Sequence, residues 1–169
     1  MVMNSLPRIL RHLGMSGRQL GRRFPPTTLA AIEQAIRDSE RLHGGQICFA
    51  LEGALSASAL FAGEPARERA LEVFSLLRVW DTEHNNGVLI YLLLADRDVE
   101  IVADRGIHAR VDPQEWEAAC REMEAAFRDG RFEAGAIGGI QAVARLLARH
   151  FPAPAAPSRN ELPDRPVVL

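Results

Sequence analysis

The sequence predicts an α/β protein: a three-layer α/β/α sandwich around a small mixed sheet that contains an antiparallel hairpin. Three observations carry that expectation. The apolar runs Gln46 to Leu51 and Val88 to Leu94 lack the alternation of a half-exposed sheet, so both need cover on two faces. The turn Asp96-Arg97-Asp98 leads directly from the second run into Val99-Glu100-Ile101-Val102-Ala103, a connection long enough only for an antiparallel pair. Amphipathic helical stretches precede, separate and follow the strands, so helices are available for both faces.

The first helix is predicted after Pro25-Pro26, capped by Thr27 or Thr28, with Leu29, Ile32, Ala35, Ile36 and Leu42 on one face and Gly44-Gly45 ending it. The first strand follows. Residues 55–61 are ambiguous. A second helix starts at Pro65 and carries Ala66, Ala70, Val73, Phe74 and Leu77 inward, with Glu68 and Glu72 on its wet side, to about Trp80. Asn85-Asn86-Gly87 is a turn signal that opens the central strand. After the hairpin, Asp112-Pro113 starts a third helix through Trp116, Ala119, Cys120, Met123 and Phe127, and a fourth runs from Phe132 to His150 beyond the Asp129-Gly130 turn.

Composition excludes more than it assigns. The chain has 169 residues, 47% apolar and 25% charged, with a net charge of −2, the profile of one compact domain. All 20 basic residues are arginine, which removes lysine Schiff-base chemistry and phosphate-loop lysines together. Uncharged runs such as 53–63 and 134–144 are 11 residues long, short of the roughly 20 that a spanning helix needs. Cys48 and Cys120 fit no disulfide scaffold or zinc spacing and are expected as reduced, buried thiols.

Charge divides the chain into three parts: a basic N-terminal arm (1–25), a folded unit (26–151) and a Pro-rich tail (152–169). The arm carries Arg8, Arg11, Arg18, Arg22 and Arg23 and no acid, whereas residues 26–169 sum to −7. Its glycines at 14, 17 and 21 disfavour helix and point to a floppy arm. Interleaved with Ile9, Leu10, Leu13 and Leu20, the same arginines would suit an anionic membrane surface or an acidic partner. No continuous apolar core or cleavage site of a secretory signal is present, so the expected location is cytoplasmic, peripheral to the inner face of the membrane. Prolines 152, 154, 157, 163 and 166 predict a semi-extended tail without regular structure.

The sequence contains no GxSxG, HExxH, GxGxxG or phosphate-loop pattern, and the glycines of Gly135 to Ile140 fall inside a predicted helix, where they read as close helix packing. The five histidines have no ligand spacing and read as surface or cap residues. What remains is Trp80 to Asn86 before the central strand and Asp104-Arg105-Gly106 after the next, which an antiparallel hairpin brings together. Asp81, Glu83, Asn85, Asn86 and Asp104 supply oxygen ligands suited to calcium or magnesium, and Arg105 with the amides suits a phosphate. The same residues also suit a plain capped turn, with Asp81 or Thr82 satisfying loop amides and Arg105 paired to a carboxylate. At the opposite end Asp96 and Asp98 read as a hairpin tip.

Asn86-Gly87-Val88-Leu89-Ile90, Asp96-Arg97, the strand Val99 to Ala103, Asp104-Arg105-Gly106-Ile107 and the later segment Phe127 to Gly135 together resemble the TPM domain over residues 27–150. That domain occurs in thylakoid-lumen phosphatase-like proteins, photosystem II repair proteins and many bacterial membrane-associated proteins. The stretch Val79 to Arg97 is most similar to a short bacterial branch without an export signal or membrane helix. The resemblance implies an α/β/α sandwich. For activity it implies several things, since members include weak acid phosphatases, calcium binders and a non-enzymatic receptor auxiliary. Asn85-Asn86 stands where longer members often carry an acidic pair, which lowers the calcium affinity to expect. The first reading is a non-catalytic accessory protein that works by binding, with a protein partner at the membrane and no nucleic-acid partner. The alternative is a metal-assisted phosphatase with Asp81, Asn86 and Asp104 around a divalent cation, Arg105 on the phosphate, and Asp104 and Arg105 as the catalytic pair.

Overall fold

A computed structural model describes residues 6–156 and 159–169. In chain order the elements are α1 (Leu6–Gly14), α2 (Gly17–Arg23), α3 (Pro26–Ser39), β1 (Gln46–Glu52), α4 (Ala57–Ala62), α5 (Ala66–Leu76), β2 (Gly87–Leu93), β3 (Asp98–Ala103), α6 (Arg105–His108), α7 (Pro113–Arg128), α8 (Phe132–His150) and β4 (Val167–Val168). The sheet order is β3-β2-β1-β4. β1 pairs in parallel with β2 and with β4, and β2 pairs antiparallel with β3, Val88 opposite Ala103 and Leu93 opposite Asp98.

Every residue of β1 and β2 is buried, so side chains of alternate sign enter two separate cores. Ile47, Phe49, Leu51, Val88, Ile90 and Leu92 meet Ile32 and Ile36 of α3, Met123 and Phe127 of α7 and Ile140, Val143 and Leu147 of α8. Cys48, Ala50, Leu89, Tyr91 and Leu93 meet Leu60 of α4 and Ala66, Ala70 and Val73 of α5. This is the three-layer sandwich. Two of the three helix glycines serve packing as expected: a Cβ on Gly139 would lie 1.9 Å from the Met123 sulfur, and one on Gly135 within 2.9 Å of Ala126 and Phe127, whereas Gly138 faces open space.

The two ends of the chain depart from expectation. Residues 6–23 form two helices rather than a floppy arm, because α1 is held by ion pairs to Asp96 and α2 lays Leu20 against Gly53. Met1 to Ser5 of the arm lie outside the described residues. The tail is not without regular structure: Gln46 Oε1 accepts the N–H groups of Glu161 and Leu162, Leu162 is buried, and Val167 pairs with Ala50. Pro157 and Ser158 also lie outside the described residues. Of the cap candidates, neither threonine caps α3: Pro25 is its N-cap, and the buried Thr28 hydroxyl donates to Glu133 of α8 at 2.6 Å. The ambiguous stretch 55–61 contributes α4, capped by Ser56.

Candidate functional site

The polar end of the sheet is assembled by hairpin register. Because Ala103 lies opposite Val88, the Asp104 N–H reaches the Gly87 carbonyl at 2.9 Å. Backbone approaches this end so closely that a Cβ on Gly87 would sit 2.1 Å from the Val79 carbonyl oxygen, and one on Gly106 2.6 Å from that of Asn85. Asn86 is the hub. Its N–H donates to the Thr82 hydroxyl (3.0 Å), its side-chain amide to the Gly44 carbonyl (2.6 Å), and its own carbonyl accepts from Gln46 (2.9 Å). Asp104 Oδ1 accepts the Arg105 N–H at 2.7 Å and so caps the four-residue helix α6. Thr82, Asn86 and Asp104 are all buried.

Of the five predicted oxygen ligands, the structure buries only Asn86 and Asp104. Asp81 is drawn to Arg78 and is half exposed; Glu83 is exposed. Asn85, at φ 50, accepts from Arg105 Nε at 3.2 Å, so Arg105 pairs with an amide rather than a carboxylate. Two buried acceptors, Asn86 Oδ1 and Asp104 Oδ2, have no donor. They are the one observation that points toward a cation here. Calcium takes six to eight oxygens, and among the described residues no group of three or more His, Cys, Asp or Glu is placed to hold a metal. With Asn85 spent on a guanidinium, the side chains present do not fit a calcium or magnesium centre.

Neither cysteine is an activated nucleophile. Burial pushes the thiols of Cys48 and Cys120 up to about 12, and these lie on β1 and α7. His43 is not a surface residue: it is 1% exposed, its Nδ1 accepts the Gly45 N–H at 3.2 Å, and burial lowers its pKa to about 4, so it stays neutral.

The opposite end holds what the sequence did not disclose. Asp96, read as a hairpin tip, accepts from Arg8 Nε at 2.9 Å and Arg11 Nη2 at 3.2 Å, and His12 Nε2 lies 3.0 Å from its carboxylate. His12 Nδ1 accepts the Leu55 N–H at 3.1 Å. Arg8 also donates to the Glu64 carbonyl. Burial alone would raise the Asp96 carboxyl, but the hydrogen bonds from Arg8 and His12 outweigh it and hold the pKa below the usual value. With Arg8 and His12 buried inward, α1 turns Leu6, Leu10 and Leu13 outward, at 68%, 60% and 64% exposure. Ile9 and Leu20, counted with the outward leucines in the sequence, pack against the domain instead. The arm's charge excess was the available signal; which face it turned to solvent depended on an acid 88 residues away.

Among the described residues no helix is long and apolar enough to cross a membrane. The NMR structure of BA42 protein from the psychrophilic bacterium Bizionia argentinensis is similar, with a TM-score of 0.72, 30% identity, and coverage of 84% of this chain and 92% of that one. The solution structure of the N-terminal domain of a P. gingivalis protein shares the fold, with a TM-score of 0.60 at 18% identity, covering 78% of this chain and 82% of that one. Among curated proteins no relative matches. The family profile described as the TPM domain matches residues 22–146, so most of the folded unit and its polar end fall within it, and the chain belongs to the TPM domain family.

Proposed function

We propose that this protein is a non-catalytic TPM-domain accessory protein that works by binding and sits peripherally on an anionic membrane surface. One observation carries the reading: α1 is an amphipathic helix docked the wrong way round for a globular core, its charged face buried on Asp96 and its leucine face in solvent. Leu6, Leu10 and Leu13 fall within one narrow stripe of the helix. Arg11, Arg18 and Arg22 are exposed on the same pair of helices, and no acid occurs in residues 1–25. An apolar stripe with exposed arginines on the same pair of helices complements acyl chain and anionic headgroup at once, each arginine contributing about 1 kcal/mol near such a surface. The phosphatase alternative has less support, since among the described residues no group of three or more His, Cys, Asp or Glu is placed to hold a metal and burial keeps both thiols protonated.

The test is co-sedimentation with phosphatidylglycerol vesicles, with phosphatidylcholine vesicles as the neutral control. The intact protein is expected to pellet with the anionic vesicles only. The variant Leu6→Ser/Leu10→Ser/Leu13→Ser, altered only at exposed positions, should lose at least tenfold in partitioning while its thermal midpoint holds. Equal pelleting of the two proteins would overturn the membrane reading.

A further inference from the structure

Beside the leucine stripe, α1 and α2 form one wall of a groove of about 600 Å3, and the β2–β3 turn with the end of α7 forms the other. Four arginines line it: Arg11, Arg23, Arg97 and Arg128. They come from four separate places in the chain, and the acid among the lining residues, Asp96, is already engaged by Arg8, Arg11 and His12. Arg97 donates to the Arg128 carbonyl, Arg23 lies over the Phe132 ring and near the Met15 sulfur, and the nearest carboxylate recorded for Arg128 is that of Glu124 at 3.9 Å. Arg97 also holds a left-handed backbone, φ 52, at the turn that presents it.

Guanidinium groups converging on a groove with little local acid raise its positive potential. Their planar, forked donors match phosphate oxygens better than they match a lone carboxylate. Leu10 lines this groove and belongs to the exposed stripe, so an anion held here would lie beside the apolar face of α1. We infer that the groove bounded by Arg11, Arg23, Arg97 and Arg128 is a binding site for a phosphate-bearing anion, filled at the membrane by the phosphodiester of an anionic lipid headgroup. The lipid source rests on the peripheral-membrane reading; the phosphate chemistry stands on the arginines alone.

The experiment titrates the full chain with inorganic phosphate and with glycerol phosphate, followed by amide NMR, and in parallel repeats vesicle sedimentation. Arg97→Ala/Arg128→Ala removes two groove charges at the surface. Arg41→Ala/Arg121→Ala removes the same charge from exposed sites outside the groove. Glycerol phosphate is expected to shift the amides of residues 94–97 and 128 saturably, with affinity at least tenfold weaker in the groove variant and unchanged in the control. The groove variant should also pellet less with phosphatidylglycerol, and Leu6→Ser/Leu13→Ser, which spares the groove residue Leu10, should keep its phosphate affinity while losing vesicles. Absence of saturable shifts, or equal loss in both arginine variants, would overturn the groove site even where vesicles still pellet the protein. Phosphate binding without vesicle binding would overturn the lipid source and the membrane reading, leaving a site for a soluble phosphate.

Discussion

At the hairpin end of the sheet, order depends on charge: Asp96 is surrounded by Arg8, Arg11 and His12, two of them almost wholly buried. At the other end, order depends on neutral hydrogen bonds and close backbone contact, with Asn86 bridging Thr82, Gly44 and Gln46 and glycines standing where any side chain would clash. The end richer in acidic and amide letters is thus the electrostatically quieter one. Its carboxylates at 81 and 83 face water, where ion pairs contribute little. The lesson is that charge matters by burial rather than by density along the sequence.

The largest effect expected from breaking this contrast is at Asp96. Asp96→Ala leaves the Arg8 guanidinium buried without a carboxylate, a loss of about 3–5 kcal/mol for such pairs. Urea denaturation reads the global part; hydrogen exchange reads whether α1 escapes the penalty by undocking, in which case its amides lose protection while those of β2 keep theirs.

Acid should discriminate between the two ends as well. His43 has a folded pKa of about 4 against 6.5 unfolded, so its contribution is complete above 6.5 and is lost as pH falls from there toward 4, on the order of 3 kcal/mol. Asp96, held below its ordinary 3.8, keeps its contribution until pH falls beneath that value. Glu40, which accepts the Ile47 N–H, has the opposite sign: its pKa of about 7 makes its contribution present below 4.5 and lost as pH rises through 7. Comparing the intact protein with His43→Gln cancels Glu40. The stability of the intact protein minus that of the variant should fall as pH drops from 6.5 to 4, and a difference that stays constant over that range would refute the assignment.

The smallest effect belongs to Asp104. Its visible work is one cap bond to Arg105, so Asp104→Ala should cost about 1 kcal/mol and Asp104→Asn, which keeps an acceptor, less. A loss near that expected at Asp96 would mean that the unpartnered Oδ2 holds something after all.

How much of this was legible follows from how local each cause is. The hairpin and α7–α8 were readable because their signals, Asp96 to Asp98, Asp112-Pro113 and Asp129-Gly130, act within a few residues. The meeting of Asp104 with the 82–86 loop was readable because antiparallel register dictates it. The docking of α1 was not, since the glycines at 14 and 17 argue against helix locally and the stabilising acid lies 88 residues away. The assignment of free oxygens was not legible either: nothing in Asn85-Asn86 says which amide Arg105 will take. The arginine groove is the extreme case, because only two of its four arginines belong to the basic arm.

The last strand carries a consequence of a different kind. β4 is two residues long, yet it lies along the outer edge of β1, Ala50 beside Val167 and Leu51 beside Val168, with the Leu169 N–H adding a bond to the Leu51 carbonyl. An uncovered edge on a largely apolar strand is a template for intermolecular pairing. Its cover here comes from residues more than a hundred positions downstream, and closing so long a loop is slow. During synthesis the core strand is therefore complete long before its seal arrives, and that interval is when the protein is most exposed to aggregation.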